Sequence, residues 1–304
     1  MRAGLLGIWA QALHVRPTLA SNPFPTHHCY ARSAVIDTHC HLTFPDFAGQ
    51  IDQTLARARD LGVRGCITIS TTTQDCLRAR EIAQSYPNVW HTSGVHPCYS
   101  DQVPHIWENI LDCALSPKCV AWGELGLDKA HAEPPLAVQR PLLDEQLALI
   151  TQARQGRACG RTHRPLDLPI VLHCREAFAE LIPILRATSV DPARFVFHCF
   201  TGGPDDMRAL LDFGAMVSLT GVATYKNARL LHEAIRLAPL DRIMIETDSP
   251  FLSPEPKRGV RPCEPGFARY TAEAVARLKE TPFEDFCQVI DANTKRFFGV
   301  EVPG

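Results

Sequence analysis

From residue 34 onward, short runs of β-branched and other apolar residues alternate with longer stretches whose apolar positions recur every three or four residues. The runs predict strands over 34–39, 65–70, 89–94, 119–124, 169–173, 195–198, 216–219 and 242–247. The stretches between them predict helices over 51–61, 74–85, 103–115, 139–153, 177–187, 204–213 and 228–237, with a closing segment at 267–278. Strand and helix alternating at this spacing build parallel βαβ units, because a parallel neighbour needs a crossover long enough to hold a helix. Eight such units predict an α/β chain closed into a (β/α)8 TIM barrel in preference to an open sheet.

Two regions break the pattern. Residues 1–33 have Arg2, Arg16 and Arg32 as their only charged groups, and their mildly apolar part is interrupted by Gln11 and His14. Pro17, Pro23 and Pro25 follow without a clean cleavage site, so we read 1–33 as a disordered or misassigned leader and 34–304 as a single barrel domain. The second region, 154–165 (RQGRACGRTHRP), is rich in Arg and Gly and has no apolar period. It reads as an insertion in a helix-to-strand loop, which a barrel places on the face opposite its chemistry.

The 304 residues are 45% hydrophobic, enough for one large core, and carry a formal net charge of -2. That charge excludes a bulk DNA-coating role, so a polyanion must be held by local arginines or by metal. The twelve cysteines are dispersed without CxxC knuckles and read as buried thiols of a reducing compartment, giving a cytoplasmic expectation. No apolar run reaches the roughly 18 residues needed to cross a bilayer, and no obligatory protein partner is evident.

The chemistry lies at the strand ends. Strand one ends in His39 and His41, strand four in Glu124, strand five in His173, strand six in His198 and strand eight in Asp248. In a strand, residues i and i+2 share a face, so His39 and His41 can converge while Cys40 turns toward the helices, as Cys174 and Cys199 should. All strand C-termini of a barrel share one rim, where these six metal-ligand types can meet. Four imidazoles and two carboxylates exceed what one tetrahedral ion can use with a position left open. Two divalent ions fit better, with Glu124 bridging them about 3.5 to 4 Å apart and a bound water activated. Asp248 would bind one ion and take up the water's proton; its plainer reading is a rim carboxylate that only hydrogen-bonds a histidine. Zn, Mg or Mn all suit mixed N/O ligation. His96 is either a phosphate hydrogen-bond donor or a simple turn residue before Pro97. Arg175 stands two residues past His173, placed to pair with a phosphate oxygen or a neighbouring carboxylate. Lys257, Arg258 and Arg261 form either a basic rim for a nucleic-acid backbone or an ordinary charged loop.

The segments DTHCHL (37–42), GVHP (94–97), GELGLD (123–128), HCR (173–175), HCFTGG (198–203), ETDSPFLSP (246–254) and PKRGVRPCEP (256–265) together resemble the ordered motifs of the TatD family of metal-dependent hydrolases. The resemblance runs from Ala34 to Val300. It implies a TIM-barrel, divalent-metal-dependent deoxyribonuclease, expected to be of exonuclease type with DNA as substrate, or a related phosphodiesterase. It also implies metal ligation by His39, His41, Glu124, His173, His198 and Asp248, with Glu124 and Asp248 as the catalytic pair. Relatives that bridge their metals with a carboxylated lysine would need Lys where this chain has Glu124. Cys263 departs from the family's usual Asn. The competing expectations are a hydrolase of small-molecule or aminoacyl esters or amides using the same two metals, and a non-catalytic metal-stabilised binding protein.

Overall fold

The computed structural model describes residues 35–157 and 165–301. The leader at 1–33 and most of the 154–165 segment lie outside the described residues; Arg154 itself ends a helix. Eight parallel strands pair in sequence order, β1 (Val35–Cys40), β2 (Val63–Thr68), β3 (Val89–Ser93), β4 (Cys119–Asp128), β5 (Ile170–Arg175), β6 (Phe195–Phe197), β7 (Met216–Leu219) and β8 (Ile243–Ile245). Helices α1 (Ile51–Asp60), α2 (Asp75–Ser85), α3 (Trp107–Ala114), α4 (Leu136–Arg154), α5 (Phe178–Arg186), α6 (Pro204–Phe213), α7 (Arg229–Leu237) and α8 (Ala268–Leu278) follow the strands in turn. This is the (β/α)8 barrel expected.

The ring closes between β8 and β1 without a regular ladder. A single parallel bridge joins Cys40 to Ser249, and Asp248 N–H donates to His39 O at 2.9 Å. The buried Asp37 carboxylate accepts from the Thr247 backbone N–H (2.9 Å) and hydroxyl (2.6 Å), locking the seam from the side-chain level.

Strand alternation divides the core into two layers. Ile67, Val171, Val196, Met216 and Met244 share one buried cluster inside the barrel. Their neighbours Leu172, Phe195, Phe197, Val217 and Ile243 join the layer between sheet and helices. The floor is covered by α9 (Phe283–Phe298), whose Phe297 and Phe298 pack with the interior cluster and whose Asn293 donates to Leu240 O and Ile243 O, both at 2.8 Å. The sequence reading placed no helix over this segment. The helix expected over 103–115 begins only at Trp107. Pro104 disfavours helical backbone at Val103, and Val103 is exposed, so this stretch runs as a loop along the rim.

Two one-residue bulges decide where the rim side chains point. Between Asp37 and Cys40, β1 advances three residues while β2 advances two, Cys66 to Thr68. Between Trp122 and Leu125, β4 advances three while β5 advances two, Ile170 to Leu172. A bulge inserts one unpaired residue and re-aims the side chains beyond it. Ile36 and His39 thereby both reach the barrel interior, and so does Glu124 although Trp122 faces the helices.

Candidate metal centre

All six predicted ligands converge on one buried pocket at the strand C-termini. Glu124 lies at its middle, 1% exposed. Its Oε1 is 2.6 Å from His198 Nε2 and 2.8 Å from His173 Nδ1, and its Oε2 is 3.3 Å from His39 Nε2. Asp248 Oδ1 stands 3.3 Å from His41 Nε2 and 3.5 Å from His39 Nε2. Asp248 has φ of 58°, a left-handed backbone unusual for a non-glycine residue, held by its N–H bond to His39 O. The His39 and His198 rings stack 3.9 Å apart.

Neighbouring acceptors fix the tautomers. His41 Nδ1 faces Ile69 O at 3.2 Å, so its proton lies there and the Nε2 lone pair faces the pocket. His173 Nε2–H donates to Asp128 Oδ2 at 2.9 Å, which leaves the Nδ1 lone pair facing Glu124. His198 Nδ1 lies 3.4 Å from Glu246 Oε1 without a hydrogen bond, and its Nε2 faces Glu124. The imidazole nitrogens and carboxylate oxygens of the six residues thus crowd together, and Glu124 Oε2 has no hydrogen-bond partner among the described residues. Such a donor set calls for cations, and the carboxylate that accepts from His173 is the usual support of an imidazole ligand.

Charge within the cluster favours the ionised carboxylates. Burial would raise Glu124, yet the imidazoles of His198, His96, His39 and His173 around it hold it well below the usual carboxylate range. Burial likewise opposes ionisation of Asp248, but His41, His39 and His198 lower it on balance. Burial and the neighbouring His198 depress His39, whereas Glu124 outweighs burial at His198 and raises it well above an ordinary imidazole. The pocket thus favours ionised Glu124 and Asp248 beside imidazoles whose proton affinity is raised at His41, His173 and His198.

The remaining sequence candidates divide. His96 joins the pocket, its Nε2 3.0 Å from His173 Nδ1 and 3.4 Å from Glu124 Oε1. Its Nδ1 accepts from Cys98 N–H at 3.0 Å, so Nε2 carries the proton and His96 is a donor aimed at the centre. Burial pushes its pKa down to about 3, keeping it neutral. Arg175 ends β5 with an exposed side chain and touches no pocket atom among the described residues. Arg258 is half exposed and stacks on the Tyr225 ring at 4.2 Å, while the Tyr225 hydroxyl donates to Ser253 O at 2.9 Å. Cys40 and Cys174 are buried in the helix-facing layers as expected, and Cys263 is a buried thiol whose pKa burial raises. Cys199 departs from expectation: it is only partly buried, and its Sγ lies 3.7 Å from Thr220 Oγ1 on the loop side.

Three acidic residues escaped the sequence reading. Asp128 orients His173. Glu246 accepts from Cys199 N–H at 2.6 Å and from the Ser218 hydroxyl, and faces His198. Asp37 ties β1 to the β8 end. Parity carried a signal for two of them: Glu246 stands two residues before Asp248 in ETDSPFLSP, and Asp128 four after Glu124 in GELGLD.

Comparison with known proteins agrees with this geometry. The TatD related DNase family matches residues 36–299. The metal-dependent hydrolase YcfH of Escherichia coli (strain K12) is 34% identical over 270 residues, covering 88% of this chain and 96% of its own. The 3'-5' ssDNA/RNA exonuclease TatD of Edwardsiella piscicida is 33% identical over 274 residues, covering 87% of this chain and 99% of its own. Among solved structures, the TatD homolog YJJV from Escherichia coli K12 superposes with a TM-score of 0.77 at 28% identity, covering 88% of this chain and 98% of that one. With the family matched across the barrel and six metal-ligand side chains gathered at its rim, the chain belongs to the TatD family of metal-dependent hydrolases.

Proposed function

We propose that this chain is a nuclease that hydrolyses phosphodiester bonds at the ends of nucleic acid strands, DNA first among them, using two divalent ions held by His39, His41, Glu124, His173, His198 and Asp248. The observation that carries this reading is the convergence of those six side chains on one pocket, with Glu124 in reach of three imidazoles on different strands. Zn, Mg or Mn at this centre supplies Lewis-acid chemistry and lowers the pKa of water. Asp248 is anionic and rim-facing, suited to accept the nucleophile's proton. The His96 Nε2–H points into the pocket as a donor for a non-bridging phosphate oxygen. Arg258, held against Tyr225, and the exposed Arg175 offer phosphate contacts on an otherwise slightly acidic molecule. Relatives bearing an exonuclease name support the same substrate class. The free cysteines of the described residues suit a reducing, cytoplasmic setting, and no helix among them is long and apolar enough to cross a membrane.

The test is a digest of end-labelled single-stranded DNA, duplex DNA and RNA by protein of measured metal content, beside a neutral ester. Wild type should shorten nucleic acid, chelation should stop it, and Asp248→Asn and Glu124→Gln should each lower turnover by about 10²- to 10⁴-fold. Intact nucleic acid in the presence of metal-loaded protein, with the neutral ester cleaved, would overturn the reading.

A further inference from the structure

We infer that Cys98, Asp128 and His131 form a separate thiolate-containing site for a zinc-like divalent ion at the mouth of the barrel. The three residues come from two rim segments, the 3-10 turn Pro97–Tyr99 after β3 and the end of β4 with its following turn. Cys98 Sγ lies 3.9 Å from Asp128 Oδ2 and 4.0 Å from His131 Nδ1, and the last two atoms are 2.9 Å apart. Bond lengths of a tetrahedral zinc ion put sulfur about 3.6 Å from an N or O ligand, and N and O about 3.3 Å from each other. The observed triangle is within half an ångström of that shape and needs only small side-chain adjustments to match it.

The chemistry of the surroundings supports an ion. Asp128 is buried, and its Oδ2 already accepts from two imidazoles, His173 Nε2 and His131 Nδ1. An ion at the triangle binds Cys98 as the thiolate while the thiol proton leaves to solvent. His131 is 55% exposed, which provides an entry path and a free fourth position.

A sulfur ligand also distinguishes this site from the centre beside it, whose six proposed ligands are all nitrogen or oxygen. The two are joined through Asp128 Oδ2, which accepts from His173 Nε2 and His131 Nδ1 alike. The inference therefore does not depend on the nuclease reading: it needs a soft ligand beside an imidazole and a carboxylate, not a particular substrate.

Cobalt titration of the full chain tests it, since only a thiolate ligand gives the intense near-ultraviolet sulfur-to-cobalt charge-transfer band. Cys29 and Cys159, the cysteines outside the described residues, are first replaced by serine. The band should appear in that background as cobalt is added beyond the first equivalents, vanish in Cys98→Ser, and need at least about tenfold more cobalt in His131→Asn. Circular dichroism and thermal melting confirm that each variant is folded. Absence of the band in the Cys98-containing protein, or its survival in folded Cys98→Ser, would overturn the inference, whatever the activity assays show.

Discussion

At the scale of single residues, the pocket is controlled by groups outside its six proposed ligands. Asp128 is the clearest. By accepting the Nε2 proton of His173 at 2.9 Å it fixes which nitrogen faces Glu124, and it also accepts from the His131 N–H at 2.9 Å. Asn in its place keeps the volume but removes the charge, and its amide can turn an N–H toward the ring and select the other tautomer. We expect Asp128→Asn to weaken metal binding by about 10- to 100-fold with little change in secondary structure, measured by competition with a chromophoric chelator. Unchanged affinity would mean that His173 is oriented by Glu124 and His96 alone. The ligands themselves could be found because a His or carboxylate ending an apolar run stands out. Asp128 and Glu246 were harder to see: their role depends on which nitrogen of a neighbouring ring they face, and parity places a side chain without giving its partner.

At the scale of elements, the barrel was readable and its irregularities were not. Apolar runs and helical periods gave all eight strands and the order of eight helices, since burial on both faces leaves a strand little freedom in composition. They could not give the bulges in β1 and β4, which leave the hydrophobic pattern nearly intact and change only register. Those bulges put His39 and Glu124 inside the barrel. In β4 the irregular stretch continues to Gly126, with φ of 149°, where an added Cβ would lie 1.9 Å from His173 O. No rotamer relieves a clash with backbone, so β4 and β5 must separate at the point where Glu124 and His173 meet. Gly126→Ala should therefore cost about 3 kcal/mol of stability and lower metal content in the same preparation. A variant that melts like wild type and holds its full metal complement would show that the β4–β5 register tolerates the displacement.

At the scale of the molecule, acid sensitivity has a source far from the metal pocket. His91 on β3 is fully buried; its Nδ1–H donates to Thr92 O at 3.1 Å, and its Nε2 has no partner among the described residues. Burial, and to a lesser degree the charges of Arg80 and Lys118, pushes its pKa down to about 4. Protonation would place a second N–H where no acceptor waits. The unfolded chain titrates near pH 6.5, so between that value and 4 it binds a proton the folded protein refuses, and equilibrium shifts toward unfolding as pH falls. The contribution is fully present above about pH 6.5, declines by about 1.4 kcal/mol per pH unit below it, and levels off once the folded protein also takes the proton near pH 4. Replacing His91 with Gln removes this slope while the carboxylates and the metal pocket, common to both proteins, still titrate. The difference in unfolding free energy between wild type and His91→Gln, measured by urea titration from pH 7.5 to 4.5, should therefore change by about 2 to 3 kcal/mol in favour of the variant as pH falls. Parallel curves across that range would locate the acid-sensitive group elsewhere and mean that the barrel wall admits a charged imidazole at His91.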